Sequence, residues 1–323
     1  MSRSALFLLR RLAGYACLLA AASSCAYLLS AAVLDPTGNY AAQQPRPSPE
    51  VVRQELAERN LDPGEPLVLR YAHWASDAVT GDLGQTWDGR AVGPELADRA
   101  AASARLLVLG SVLGAVGGVA WGAWAGARKD GGGDTAATLG AVVLISVPPL
   151  VVAVVLQTLA VGINDAAGQA LLRTAGEPPP GAGPVDRIRY MVLPAVALAL
   201  PLAAVVSRYQ RGLMADEAGS VYVRTARAKG LTRGRALRSH ALRTSLVPAS
   251  TYVAYTAAAM FTGAVFVERV FGRHGVGAML VEAVEDGDVN AAAAACAFGA
   301  ACVVAAGGVA DTLRILIDPR VRS

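Results

Sequence analysis

Apolar and polar positions alternate along the chain in long blocks. Uninterrupted apolar runs lie at about 12–34, 104–125, 135–161, 191–207, 245–267 and 289–317, with polar segments between them. At 1.5 Å per residue, about twenty apolar residues cross a hydrocarbon core about 30 Å thick. Each run is therefore expected to be a transmembrane helix. The first follows Arg3, Arg10 and Arg11 and continues past Cys25 through Tyr27, Leu28 and Leu29. It is longer than the apolar region of a signal peptide and reads as an uncleaved span. The second carries Gly110, Gly114, Gly117, Gly118 and Gly122, and glycines four apart let helices approach closely in lipid. The third contains Pro148 and Pro149, which must kink it or unwind a turn. A pore-lining bend and a packing kink both fit that feature.

The polar segments set the topology. Arg208, Arg211, Arg224, Arg227, Lys229, Arg233, Arg235, Arg238 and Arg243 are opposed only by Asp216 and Glu217. Basic residues near span ends resist translocation, so 208–244 is expected inside, together with both termini and the short loop at Arg128 and Lys129. Residues 35–103 are polar, acidic and proline-rich and are expected outside. Within them, Glu50 to Asn60 reads as a short helix with Ser48 as cap and Pro49 in its first turn. Trp74 and Trp87 are expected to anchor at the membrane interface, or to contact a partner or solute outside. Asp311 and Arg314, three apart, are expected to pair structurally.

Composition agrees. The mean hydropathy of +0.42 and 54% hydrophobic content argue a polytopic membrane protein. The formal net charge of +4 is mild and confined to particular loops, so it reports topology and not nucleic-acid binding. Of 29 basic residues all but Lys129 and Lys229 are arginine, which suggests a GC-rich bacterial genome. Cys17, Cys25, Cys296 and Cys302 lie in apolar runs without metal-site spacing and are expected to be small buried hydrophobes. His73, His240 and His274 fall in different loops and on both sides of the membrane, so they do not make one metal site; His240 is expected to pack or hydrogen-bond. No nucleophile elbow, HExxH or Walker sequence is present. No ionisable residue sits deep in the second to fifth spans. An ion-coupled carrier needs one near the midplane, so the pattern fits a subunit powered from outside the chain.

The segment 216–248 is the most basic stretch of an otherwise apolar chain. Its first half reads as a short amphipathic helix. Ala218, Val221, Tyr222 and Thr225 share an apolar face, with Asp216, Arg224 and Arg227 opposite. Asp216 and Glu217 are expected at its N-terminal end, and Gly230 after Lys229 is expected to end it. On the residues alone, a helix resting on anionic headgroups and a docking helix for a protein partner both fit.

The run YVRTARAKGL at 222–231, followed by HALR at 240–243 and LVP at 246–248, resembles the cytoplasmic loop of ABC-transporter permeases of the dipeptide, oligopeptide and nickel type. That loop carries the family's coupling helix, which docks in a groove of the ATPase subunit. In the general form, Glu-Ala-Ala is followed three residues later by Gly. Here Arg224, Thr225 and Ala226 take the first three places, so only Ala226 and Gly230 match it, whereas the peptide-type variant matches throughout. GDLGQ at 81–85, LPAVALALP at 193–201, ERVFGRHGVG at 268–277 and Asp318-Pro319-Arg320 are similar to further family segments.

The resemblance implies an all-α, six-span, type I importer bundle with a cytoplasmic coupling helix, in a bacterial inner membrane. It divides the chain into a first span within 1–34, an extracytoplasmic segment at 35–103, and a five-helix permease core at 104–323 with coupling loop 208–244. It names Ala218, Tyr222, Arg224, Thr225, Ala226, Arg227, Ala228, Lys229 and Gly230 as the ATPase-coupling residues. It implies a second homologous permease, two cytoplasmic ATPases that bind the ATP, and an extracytoplasmic solute-binding protein, with no cofactor or catalysis in this chain. Peptides lead as solute. Nickel or another small solute, a self-contained channel or carrier, and a recruiting scaffold are the alternatives.

Overall fold

The computed structural model describes residues 3–317. In order, the helices are α1 (Arg3–Val33), α2 (Pro49–Glu58), α3 (Leu67–Thr80), α4 (Val92–Gly126), α5 (Gly132–Ser146), α6 (Pro149–Ala167), α7 (Pro184–Ala218), α8 (Val221–Ala228), α9 (Arg233–Ala236), α10 (Leu242–Ala258), α11 (Met260–Val270), α12 (Val276–Glu285) and α13 (Val289–Ile317). A 3-10 turn at Pro36–Ala42 and a π-turn at Leu237–Ala241 complete the order. Among the described residues there is no strand, only a bridge between Gln85 and Ala91.

Among the described residues, five helices are long and apolar enough to cross a membrane: residues Arg10–Val33 of α1, then α4, α6, α7, and residues Val289–Thr312 of α13. The stretch from α9 through α10 joins α11 at a 50° bend, and taken as one broken span this pair is a sixth candidate by length and composition. The expected third span divides where Pro148 and Pro149 stand, into α5 and α6. Neither proline has an N–H for the carbonyl four residues back, so Leu144 and Ile145 lose their helical partners there.

The chain forms two compact units. The first comprises residues 1–104 and 274–304. Ser48 caps α2 through a 3.4 Å bond from the Val51 N–H, with Pro49 in the first turn, as the sequence suggests. Trp74 is 6% exposed and stacks on Tyr27 at 4.6 Å. Trp87 meets Tyr40 edge-on, and its carbonyl accepts from Arg59 and Tyr40. The expected surface role of the two tryptophans gives way to a structural one, because these rings supply apolar area that this unit buries. The Asp288 carboxylate accepts the Trp87 N–H at 2.7 Å and the Ala291 N–H at 2.9 Å, pinning the 81–91 loop to the start of α13.

The second unit comprises residues 105–273 and 305–323. Its core gathers Leu106, Ala153, Ala160, Leu193, Leu198, Leu202, Val206, Met260, Ala264, Val267 and Phe271. The α4 glycines are used as expected. A Cβ on Gly114 would stand 2.9 Å from the Ala199 carbonyl, on Gly118 2.7 Å from that of Ala203, and on Gly126 2.5 Å from that of Arg211. Gly122 meets the Ser207 carbonyl in the same way. The result is a seam of backbone-to-backbone contact with α7.

Cys17 and Cys25 are exposed on α1, and Cys296 and Cys302 are half-buried on α13. The expected burial fails for the first pair because α1 packs along little of its length; it is an apolar surface suited to lipid. Among the described residues no group of side chains could hold a metal. The side chain of Arg314 and residues 318–320 lie outside the described residues, and with them the expected pair to Asp311 and the C-terminal motif.

Candidate functional site

The basic segment 208–244 is built from the end of α7 onward. The apolar run ends near Ser207, yet α7 continues to Ala218. Two long-range contacts carry it through the polar stretch. Met214 is 3% exposed in a small apolar cluster, and Arg211 donates to both carboxylate oxygens of Asp134 on α5, at 2.9 and 2.5 Å. Asp134 is 3% exposed. Asp216 and Glu217 therefore end α7 instead of starting the short helix, which corrects the expectation for them. Their nearby break is Gly219, after which Ser220 begins α8 in extended backbone.

Two turns of α8 follow. Val223 and Ala226 are 2% and 8% exposed and pack with Met214, Ala236, Leu237 and Ala241, flanked by Ala123, Ala127, Ala218, Leu231 and Leu242. Val221 and Tyr222 are 70% and 40% exposed, and Arg224, Thr225, Arg227, Ala228 and Lys229 are exposed beside them. The packed face is thus Val223 and Ala226, not the expected Ala218, Val221, Tyr222 and Thr225. The reason is the break at Gly219: Ala218 belongs to α7 and does not share the phase of α8. Ala226, expected where the family's helix approaches its partner, is spent on the protein's own core.

The end of α8 is a complete glycine cap. Gly230 lies at φ +93°; its N–H reaches the Arg227 carbonyl at 2.9 Å, and the Leu231 N–H reaches that of Ala226 at 3.2 Å. This is the paired bond pattern that a left-handed residue permits, and Leu231 completes it by folding onto the cluster. Tyr222 bonds Glu217 across the Gly219 break, and Arg233 donates to the Ala127 carbonyl at 3.0 Å. His240, on the π-turn, is exposed, where packing or a hydrogen bond was expected. Sequence reasoning missed Val223, Met214 and Arg211. Only the i, i+3 spacing of Val223 with Ala226 signals the first; the other two are recruited by residues far away in the chain.

α8 is therefore held rigidly on one side and free along the other, with an exposed row that mixes Val221 and Tyr222 with cations. The sequence profile of the binding-protein-dependent transport system inner membrane component matches residues 118–323. This chain belongs to that family. A member of the family is an inner-membrane protein, and the apolar helices make this one multi-pass. The match begins in the glycine seam and takes in α8 and its cluster. The oligopeptide transport system permease protein OppB of Mycobacterium tuberculosis is 44% identical over 322 residues, 98% of each chain. A probable peptide ABC transporter permease protein of Sinorhizobium fredii is 30% identical over 272 residues, 84% of each chain. A putative peptide permease protein of Brucella ovis is 29% identical over 269 residues, 82% of each chain.

Proposed function

We propose that this inner-membrane component is the permease of an ATP-driven oligopeptide importer, working by alternating access. The carrying observation is the likeness to an oligopeptide permease along 98% of both chains, which takes in the outer segment as well as the core. The partners are separate cytoplasmic ATPases that bind and hydrolyse ATP, an extracytoplasmic binding protein that delivers peptide, and a second, homologous permease. Both termini and the 208–244 segment lie on the cytoplasmic side in this reading, which the arginine distribution supports.

In this reading the exposed row of α8, with Tyr222, Arg224, Thr225, Arg227, Ala228 and Lys229, enters the ATPase groove. Its buried row transmits the movement. Val223 and Ala226 press on Met214 of α7 and on Leu237 and Ala241, which run into α10. Arg211 carries the same displacement to α5 through Asp134, and the glycine seam carries it to α4. Closure of the ATPases thereby reaches four helices through one short one.

The test is reconstitution of the assembled importer in proteoliposomes. Peptide uptake that requires ATP and the binding protein is the expected result. Uptake of nickel and not of peptide, or peptide uptake by this chain without any ATPase, would overturn it.

A further inference from the structure

The face of α10 and α11 that the second unit leaves uncovered has an unusual chemistry for a membrane span. One side is packed: Ser245, Ala249, Ala254, Met260, Ala264 and Val267 are buried, and Gly263 sits against Leu198 and Pro149. The other side carries Tyr255, 55% exposed, with Ala259, Thr262 and Phe266 exposed at helical spacing after it and Thr251 half-buried one turn before it. Tyr252 stacks on Tyr209 of α7 beside this row, centroids 4.1 Å apart.

The hydroxyls separate into two groups. Those of Ser146, Thr158, Ser250 and Thr256 donate to a carbonyl about one turn back, at 2.8 to 2.9 Å. This is how hydroxyls are satisfied against hydrocarbon. Those of Thr251, Tyr255 and Thr262 make no hydrogen bond among the described residues. Tyr255 lies ten residues beyond Ser245, about 15 Å into a core about 30 Å thick. A tyrosine hydroxyl held there against lipid tails would be unsatisfied at the depth where that is costliest. Residues 244–267 also contain no charged side chain, so nothing on this face selects a solute by charge.

We propose that Thr251, Tyr255 and Thr262 form a wall of the translocation path and exchange hydrogen bonds with the main chain of the transported peptide. Every peptide offers N–H and C=O groups at the same repeat whatever its side chains. Uncharged hydroxyls that both donate and accept match that common element and ignore the variable one. The assignment rests on the peptide-importer reading given above.

The experiment uses the assembled importer in liposomes, with Cys17, Cys25, Cys296 and Cys302 replaced by serine. Single cysteines are placed by Tyr255→Cys, by Thr262→Cys, and by Val154→Cys on the apolar face of α6 as control. A membrane-impermeant charged methanethiosulfonate should modify the first two and not the third, and transported peptide with ATP should slow modification at least about fivefold. Separately, Tyr255→Phe, which keeps the ring, should lower peptide uptake per ATP hydrolysed by about fivefold, the worth of roughly one neutral hydrogen bond, with the ATPase and second permease still bound. An unreactive Tyr255→Cys, a reaction rate indifferent to peptide, or a Tyr255→Phe importer that sheds the second permease would each overturn the assignment. If the parent importer moves peptide in these cases, only the path assignment falls; if it moves none, the functional reading falls and the wall with it.

Discussion

Asp134 and Arg211 face each other across α5 and α7 with two hydrogen bonds, of 2.9 and 2.5 Å. The Asp134 side chain is 4% exposed and that of Arg211 33%. Removing one partner of a buried pair strands the other charge, at about 3–5 kcal/mol when both are fully enclosed. With Arg211 a third open to water, Asp134→Ala should cost about 2 kcal/mol. A thermal melt of the purified protein in detergent measures this. Asp134→Leu combined with Arg211→Met should melt above either single variant, because no stranded charge remains.

The α4 seam permits a sharper comparison. Gly118→Ala places a methyl where the Ala203 carbonyl is 2.7 Å away, whereas a Cβ at Gly162 meets nothing within 4 Å. In an otherwise equivalent helix Ala is better than Gly by about 1 kcal/mol. Gly162→Ala should therefore leave the melting temperature unchanged or raised. Gly118→Ala should lower it by several degrees, a loss of about 2 kcal/mol from a helix pair forced apart.

At the end of α8 two substitutions should separate backbone from packing. Gly230→Asp meets open space, so its effect is confined to the left-handed φ of +93°, about 1–2 kcal/mol for a residue with a Cβ. It should loosen the exit from α8 and reduce ATPase retention on the membrane while the permease level holds. Ala226→Trp should be more severe and different in kind, lowering the permease level itself, since position 226 lies in the protein's own cluster. Arg224→Ala, an exposed cation worth about 0–1 kcal/mol, should weaken retention only mildly. Full retention and uptake by Gly230→Asp would make α8 a lipid-surface helix.

Asp288 should be the sensitive point of the first unit. Its two oxygens serve two N–H groups, those of Trp87 and Ala291. Asp288→Ala abandons both and should cost about 2 kcal/mol. Limited proteolysis should then cut the 81–91 loop faster than in the parent protein. Asp288→Asn keeps one acceptor and should fall between.

The spans were legible because the bilayer demands long apolar runs, and the Pro148–Pro149 break because proline has no N–H to give. Ser48 and Gly230 were legible as caps because their signals are local. The phase of α8 was not. Two turns hold too few apolar positions to fix a period, and Ala218 looked like part of the pattern until α7 was seen to run through it. That extension depends on Asp134, far away in the chain, which a reading of neighbours does not reach. Trp74 and Trp87 read as surface aromatics because their partners Tyr27 and Tyr40 are also distant in sequence.

The glycine seam has a mechanical consequence. From Gly114 to Gly126 it runs twelve residues, about 18 Å along α4. A contact made by backbone has no rotamers to rearrange under load, unlike an interface of long side chains. α4 and α7 therefore behave as one stiff plank, and a push received at Met214 arrives at the far end of the bundle as displacement and is not absorbed along the way.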